Sequence, residues 1–210
     1  MKINIDSNLL EKLPEFSVVG YLMDVENNKT ETVLNMLINL TSDISSEEVT
    51  SHPKIKETRD GYKKLGKDPS HTRPACEALL RRVIKGNQLY SLGDLIDLGN
   101  ILSVETKRSV CVVDADKIQG DVTIRIGIDG EYVDAINRGL INAFNLPVYV
   151  DDQGIFGSPT SDTIRTSVSE STKRILVMII CFSDLEKYND EQRLLDLYIN
   201  YANAKNLIKL

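Results

Sequence analysis

The sequence predicts an α+β fold. Helical periods dominate the chain up to about Thr106, short strand-like runs dominate from Ser109 onward, and no regular strand–helix alternation joins the two regimes. That segregation argues for helices layered on a sheet and against a doubly wound nucleotide-binding fold. With 210 residues, 41% of them hydrophobic, the chain has enough apolar surface for a core and is read as one unit spanning 1–210.

Each element has a local reason. The apolar cluster Val18, Val19, Tyr21, Met23 and Val25 in FSVVGYLMDVE is bounded by polar residues and predicts a strand. Thr30 is positioned to cap the helix in ETVLNMLINL, the Ser45-x-x-Glu48 spacing is a capping box for the next helical stretch, and His52-Pro53 breaks or restarts that stretch. Pro74 suits the first turn of a helix that Gly86 ends, with Ala75, Ala78, Leu79 and Val83 as its apolar stripe. The next helix, DLIDLGNILSVETK, buries Leu95, Leu98, Ile101, Leu102 and Val104. Strands follow at SVCVVD, DVTIRIGI, EYVDAI, PVYVDD and RILVMIICF, separated by Gly, Asp, Asn and Pro. Consecutive apolar residues in the last of these mark a central strand covered on both faces. DDQGIFGSPTSD has glycines and hydroxyls but neither the lysine nor the following helix of a phosphate cradle, and reads as a loop. Ser183-x-x-Glu186 then caps a terminal helix carrying Leu194, Leu195, Tyr198 and Tyr201.

Charge and composition narrow the function classes. The net charge of −6 excludes a protein that coats nucleic acid by bulk electrostatics, and no DNA partner is expected. Yet Lys54 to Lys85 alone carries ten Lys or Arg against four acids, a local +6 that permits contact with phosphate. Cys76, Cys111 and Cys181 have no paired spacing and, with only His52 and His71 to join them, read as reduced, buried side chains rather than as metal ligands; no cofactor is expected. No apolar run approaches a membrane span, and the opening residues lack a secretory signal, so a cytoplasmic protein is expected.

From SLGDLIDLGN through VCVVDADKIQGD, RIGIDGE, VYVDDQGIFG and TKRILVMI, the ordered motifs resemble the B3/B4 domain of the bacterial phenylalanyl-tRNA synthetase beta subunit. The preceding LGKDPSHTRPACEALLRRVIKG is similar to a segment of free-standing proteins of that class. The resemblance is strongest over 65–182, flanked by an N-terminal strand and helices in 1–64 and a C-terminal helix in 183–210. It implies a three-layer fold with a β-sandwich core flanked by helices, and a pocket for the aminoacylated 3′ end of tRNA from which a wrong amino acid is removed. It also implies that Glu131, after the Gly-Glu step, reads the amino acid. Where the family pattern carries a histidine this chain has Cys111, which removes that residue's proton handling near neutral pH.

The further substrate-binding candidates are Asn100, Asp152, Ser161, Asp162, Arg165 and Thr166, polar residues of a helix and of hydroxyl-rich loops that suit an esterified nucleotide. Arg81, Arg82 and Lys85 are candidates for RNA phosphate, whereas Arg73 and Glu77, one turn apart, are expected to form an internal ion pair. Three readings remain open: a trans-editing ester hydrolase acting on aminoacyl-tRNA, a non-catalytic module for RNA or an amino-acid-like ligand, and a structural partner using the face of the terminal helix with Tyr198 and Tyr201. The sequence is silent on oligomeric state.

Overall fold

The computed structural model describes residues 1–210. The elements run β1 (Ile3–Ile5), α1 (Ser7–Lys12), β2 (Ser17–Asp24), α2 (Glu31–Ile38), α3 (Pro53–Leu65), α4 (Ala75–Ile84) and α5 (Asp94–Thr106). Then come β3 (Val110–Asp114), β4 (Val122–Ile126), β5 (Tyr132–Ala135), β6 (Gly139–Asn142), β7 (Pro147–Asp151), β8 (Gly154–Ser158), β9 (Ser161–Asp162), β10 (Arg174–Cys181), α6 (Lys187–Tyr201) and β11 (Lys205–Lys209). No helix is long and apolar enough to cross a membrane.

The layers follow from side-chain alternation in one strand. β10 sits between β2 and β3 in a four-stranded sheet of order β11-β2-β10-β3, and its residues Ile175 to Cys181 are buried on both faces. Ile175, Val177, Ile179 and Cys181 join a core with the helices, including Leu98 and Leu102 of α5 and Leu194 and Leu197 of α6. Leu176, Met178 and Ile180 point the other way, into a second core shared with Val122, Ile124, Val148 and Phe156 of the sheet β1-β4-β7-β8-β9. Because successive residues of a strand face opposite sides, one apolar run holds helices against one face and a second sheet against the other. The fold is therefore α+β: helices, central sheet, outer sheet. A separate hairpin, β5-β6, stands beside the outer sheet, joined by a bridge between Ala135 and Thr163.

Local sequence signals set most boundaries. Thr30 Oγ accepts the Val33 N–H at 3.3 Å and caps α2, all five apolar positions expected in α5 are buried, and His52-Pro53 starts α3 with Pro53 in its first turn. Several readings need correction. Glu48 accepts the Ser45 N–H at 2.7 Å, but the segment forms turns and the helix begins only at Pro53. Ser183 does not cap α6, which starts at Lys187 after a left-handed Glu186; its hydroxyl is drawn instead to the Glu57 carboxylate. DDQGIFGSPTSD is not a loop, since it turns from β7 into β8 and on to β9. Finally, α4 faces its core with Cys76, Glu77 and Leu80, whereas Ala75, Ala78 and Leu79 stay at least partly open.

Candidate functional site

The open stripe of α4 lines a cavity of about 610 Å³, a size common for small-molecule sites. Ala75, Ala78, Leu79 and Arg82 form one wall, Ile96 and Asn100 of α5 the next, and Val110 and Val112 of β3 the floor. Thr160, Ser161 and Asp162 close it from the β8–β9 side, Arg138 from the β5–β6 turn. Two other hollows are less suited to chemistry. One of about 520 Å³ is lined by aliphatic, hydroxyl and amide residues without an ionisable side chain, and one of about 440 Å³ lies between Asn27–Lys29 and Ser169–Glu170.

Three elements meet at a single carbonyl to build the larger cavity. The Pro159 C=O, in the β8–β9 turn, accepts the Ala75 N–H of α4 at 2.8 Å and the Ser109 hydroxyl at 2.7 Å. Ser109 Oγ also accepts the Cys76 N–H at 3.5 Å, so the helix start, the entry to β3 and the turn are tied together. Behind them Tyr62 is fully buried, its hydroxyl 3.0 Å from Thr160 Oγ. The loop that carries Leu89, Tyr90 and Leu92 to the rim is pinned by Asp97 of α5, whose carboxylate is buried and accepts the Ser91 hydroxyl at 2.6 Å and the Leu92 N–H at 2.9 Å.

The floor is an unpaired sheet edge. β3 pairs with β10 alone, and the Ile180 N–H to Ser109 C=O bond fixes the antiparallel alternation, so that Cys111 and Val113 spend their main-chain groups on β10. Val110 and Val112 accordingly turn their N–H and C=O groups to the free edge of the sheet, and both residues line the cavity.

Three candidates from the sequence converge here: Asn100, Ser161 and Asp162, each half-buried. The Asn100 carboxamide is free of protein partners. Asp162 stands against bare main chain, because a Cβ on Gly157 would come within 2.7 Å of its Oδ1 and 2.8 Å of the Tyr149 ring. Burial pushes the Asp162 carboxyl up to about 7, and the Cys111 thiol beside it offsets this only in part. Cys111 itself is buried and its thiol is driven well above the ordinary range, first by burial and then by the neighbouring Asp162. It is a poor source of thiolate.

The other candidates lie elsewhere. Glu131 is held by Arg125 through two bonds of 2.8 and 2.6 Å and accepts the Ile128 N–H at 2.9 Å; the Arg125 guanidinium keeps its carboxyl below the usual range despite burial. It is absent from the cavity wall, as are Asp152, Arg165 and Thr166. Arg165 grips Asp151 at 3.0 and 2.8 Å; burial opposes ionisation of that carboxyl, but Arg165 and the Gln119 and Gln153 N–H groups hold it below the ordinary carboxylate value. Asp152 is exposed beside Gly120. Thr166 is fully buried, with an unpartnered hydroxyl.

The arginines around α4 also divide. Glu77 is 1% exposed and gathers three of them: Arg59 at 2.8 Å, Arg81 at 2.9 Å and Arg73 at 3.6 Å. Arg81 is thus committed inward, contrary to the phosphate role expected for it. Arg82 lies 4.5 Å over the Tyr90 ring at the cavity rim, and Lys85 is exposed one turn on. Arg138, Tyr90 and the β3 edge went unnoticed in the sequence; only the aromatic beside a basic helix could have drawn attention to one of them.

The B3/4 domain profile matches residues 57–195, more than half of the chain. The chain belongs to the B3/4 domain family. This B3/4 chain is similar to the phenylalanine–tRNA ligase beta subunit of Bartonella quintana (strain Toulouse), 33% identical over 91 residues that cover 42% of this chain and 11% of the relative. It is also similar to that of Nitrobacter winogradskyi, 28% identical over 123 residues, 58% of this chain and 15% of the relative. It therefore spans only a small part of these relatives. The fold resembles an N-terminal fragment of the phenylalanyl-tRNA synthetase beta subunit from Pyrococcus horikoshii, with a TM-score of 0.51 at 12% identity, covering 98% of this chain and 50% of that one.

Proposed function

We propose that this B3/4 chain binds the aminoacylated 3′ end of a tRNA in the α4–α5–β3 cavity, and that water hydrolyses the bound ester there. One observation carries the reading: Asn100, Ser161 and Asp162, from distant parts of the sequence, converge on a mostly apolar cavity that also holds Arg82 and Arg138 and is large enough for an amino acid and part of its nucleotide. The kinship with phenylalanine–tRNA ligase beta subunits supports the choice of ligand. An aminoacyl ester is already activated, so such a site needs positioned water and hydrogen-bond donors rather than a strong nucleophile. The edge N–H groups of Val110 and Val112 are suited to a developing oxyanion, and the Arg82–Tyr90 pair with Lys85 gives the rim a stacking surface and positive charge for a terminal nucleotide. With Glu131 held by Arg125, reading the amino acid falls to Asn100 and Ser161.

The test is equilibrium binding of non-hydrolysable 3′-aminoacylamido adenosines, together with ester release from a panel of mischarged tRNAs. Asn100→Ala should weaken analogue binding about tenfold or more, as expected from losing a buried hydrogen bond of ~1–3 kcal/mol, and tRNA binding should weaken steeply with salt. Glu131→Gln should leave analogue affinity unchanged. Binding without ester release points to the non-catalytic module; neither binding nor release removes the reading altogether.

A further inference from the structure

Asp162 is the one acid of the cavity wall, and its setting differs from that of the other carboxylates described above. Glu77, Glu131 and Asp151 are each ion-paired to arginine, and Asp97 accepts two hydrogen bonds from the rim loop. Asp162 forms no salt bridge, and the side chain that engages its carboxylate is the neighbouring Cys111 thiol, a weak donor. Nor is it sealed: Asp162 is half-buried and lines the cavity. The carboxylate thus has no charged partner and lies on the cavity wall. Its backbone is fixed by the β8–β9 pairing of Gly157 with Asp162 and by the Ile136 N–H donating to the Asp162 C=O at 3.1 Å, so the side chain starts from a rigid position.

A carboxylate without a charged partner in a cavity wall has two uses. It can hold a cationic ligand group, or it can take a proton during the reaction. The unpaired Asn100 carboxamide lines the same space, giving a second polar group with which to orient a water molecule.

We propose that Asp162 is the proton acceptor for ester hydrolysis in this cavity, a role that rests on the aminoacyl-ester reading given above. The Asp162 carboxylate takes one proton from water as the water oxygen bonds to the ester carbonyl carbon. The tetrahedral intermediate then collapses, the bond between the acyl carbon and the ribose oxygen breaks, and that oxygen receives the proton back from the Asp162 carboxyl. The products are the free amino acid and the nucleotide hydroxyl, with no other reactant consumed. Burial pushes the carboxyl toward neutrality, where an acceptor is both ionised in the working range and basic enough to be useful. Cys111 from β3 and Tyr149 from β7 lie beside it, Arg138 from the β5–β6 turn and Arg82 from α4 line the same cavity, and burial holds the proton on the Cys111 thiol and on the Tyr149 hydroxyl.

The experiment compares the full chain with Asp162→Asn, using 3′-O-aminoacyl adenosine esters for turnover and the 3′-amide analogue for binding. Asp162→Asn is nearly isosteric and removes a charge from a buried place, so it should fold; thermal unfolding at pH 8 checks this. The proposal expects kcat to fall about 100-fold or more, the analogue Kd to stay within twofold, and the rise of kcat/KM with pH through about 7 in the native chain to vanish in the variant. Unchanged kcat overturns it. So does a loss of analogue affinity that matches the loss of turnover, which identifies Asp162 as an anchor for the substrate ammonium. If the native chain binds the analogue but releases no amino acid, the acceptor role fails and the binding site stands; if it does neither, both readings fail.

Discussion

Glu77 shows how a single side chain reassigns its neighbours. Its carboxylate is buried, and Arg59, Arg73 and Arg81 close around it from α3, the preceding loop and α4. Burying a carboxylate is costly unless its oxygens are fully engaged, and removing one partner of such a cluster exposes that cost. Glu77→Ala should therefore lower stability by ~3 kcal/mol, measured by urea denaturation, whereas truncating exposed Lys85 should change it by less than ~0.5 kcal/mol. The sequence made the Arg73–Glu77 spacing visible, but charge alone could not say which arginine is free. Arg81 and Arg82 are adjacent, and a rotation of about 100° per residue sends one to Glu77 and the other to Tyr90. Glu131 and Asp162 teach the same lesson. Both are acids beside turns, and only the fold gives one an arginine and the other an open cavity.

Among the elements, α5 was the most legible in the sequence. Its five apolar positions are buried, because a helix between other helices and a sheet must hide most of its surface. The stripe on α4 was legible as apolar but not as cavity-facing, since periodicity marks a face and cannot tell packing from an open wall. Short or half-exposed strands such as β1, β9 and β11 escaped notice because three to five residues carry little period. α5 also controls the rim through Asp97, the sole acceptor described for both the Ser91 hydroxyl and the Leu92 N–H. Asp97→Ala should cost ~2 kcal/mol by leaving polar groups of a packed loop unpaired. It should also weaken analogue binding through displacement of Tyr90 and Leu92, and the conservative Asp97→Asn should recover part of both losses in the same titrations.

For the whole molecule, pH acts through two opposed sets of carboxylates. Arg125 and Arg165 hold Glu131 and Asp151 below their ordinary values, so their stabilising share is present above the unfolded value of about 4 and is lost as pH falls below it. Asp162 runs the other way. Its folded value of about 7 exceeds that of the unfolded chain, so its contribution is complete below about pH 4 and is lost as pH rises to about 7. Between those limits the native chain should lose stability that Asp162→Asn retains, a difference visible as converging unfolding midpoints toward pH 4 in a series of thermal scans. The cover on both faces of the central strand was legible, because β10 is apolar at every position from Ile175 to Ile180 and such a run demands it, while the three-layer order came from the resemblance to the B3/B4 domain.

The unpaired margin of β3 separates grip from choice. Main-chain amides and carbonyls recognise what every amino acid shares, so under the proposed function the floor formed by Val110 and Val112 would tolerate any residue type laid along it. On the same proposal, selectivity would fall to the other walls, where Asn100 and Ser161 stand, and exchanging those two residues should change the preference while leaving the common handhold intact.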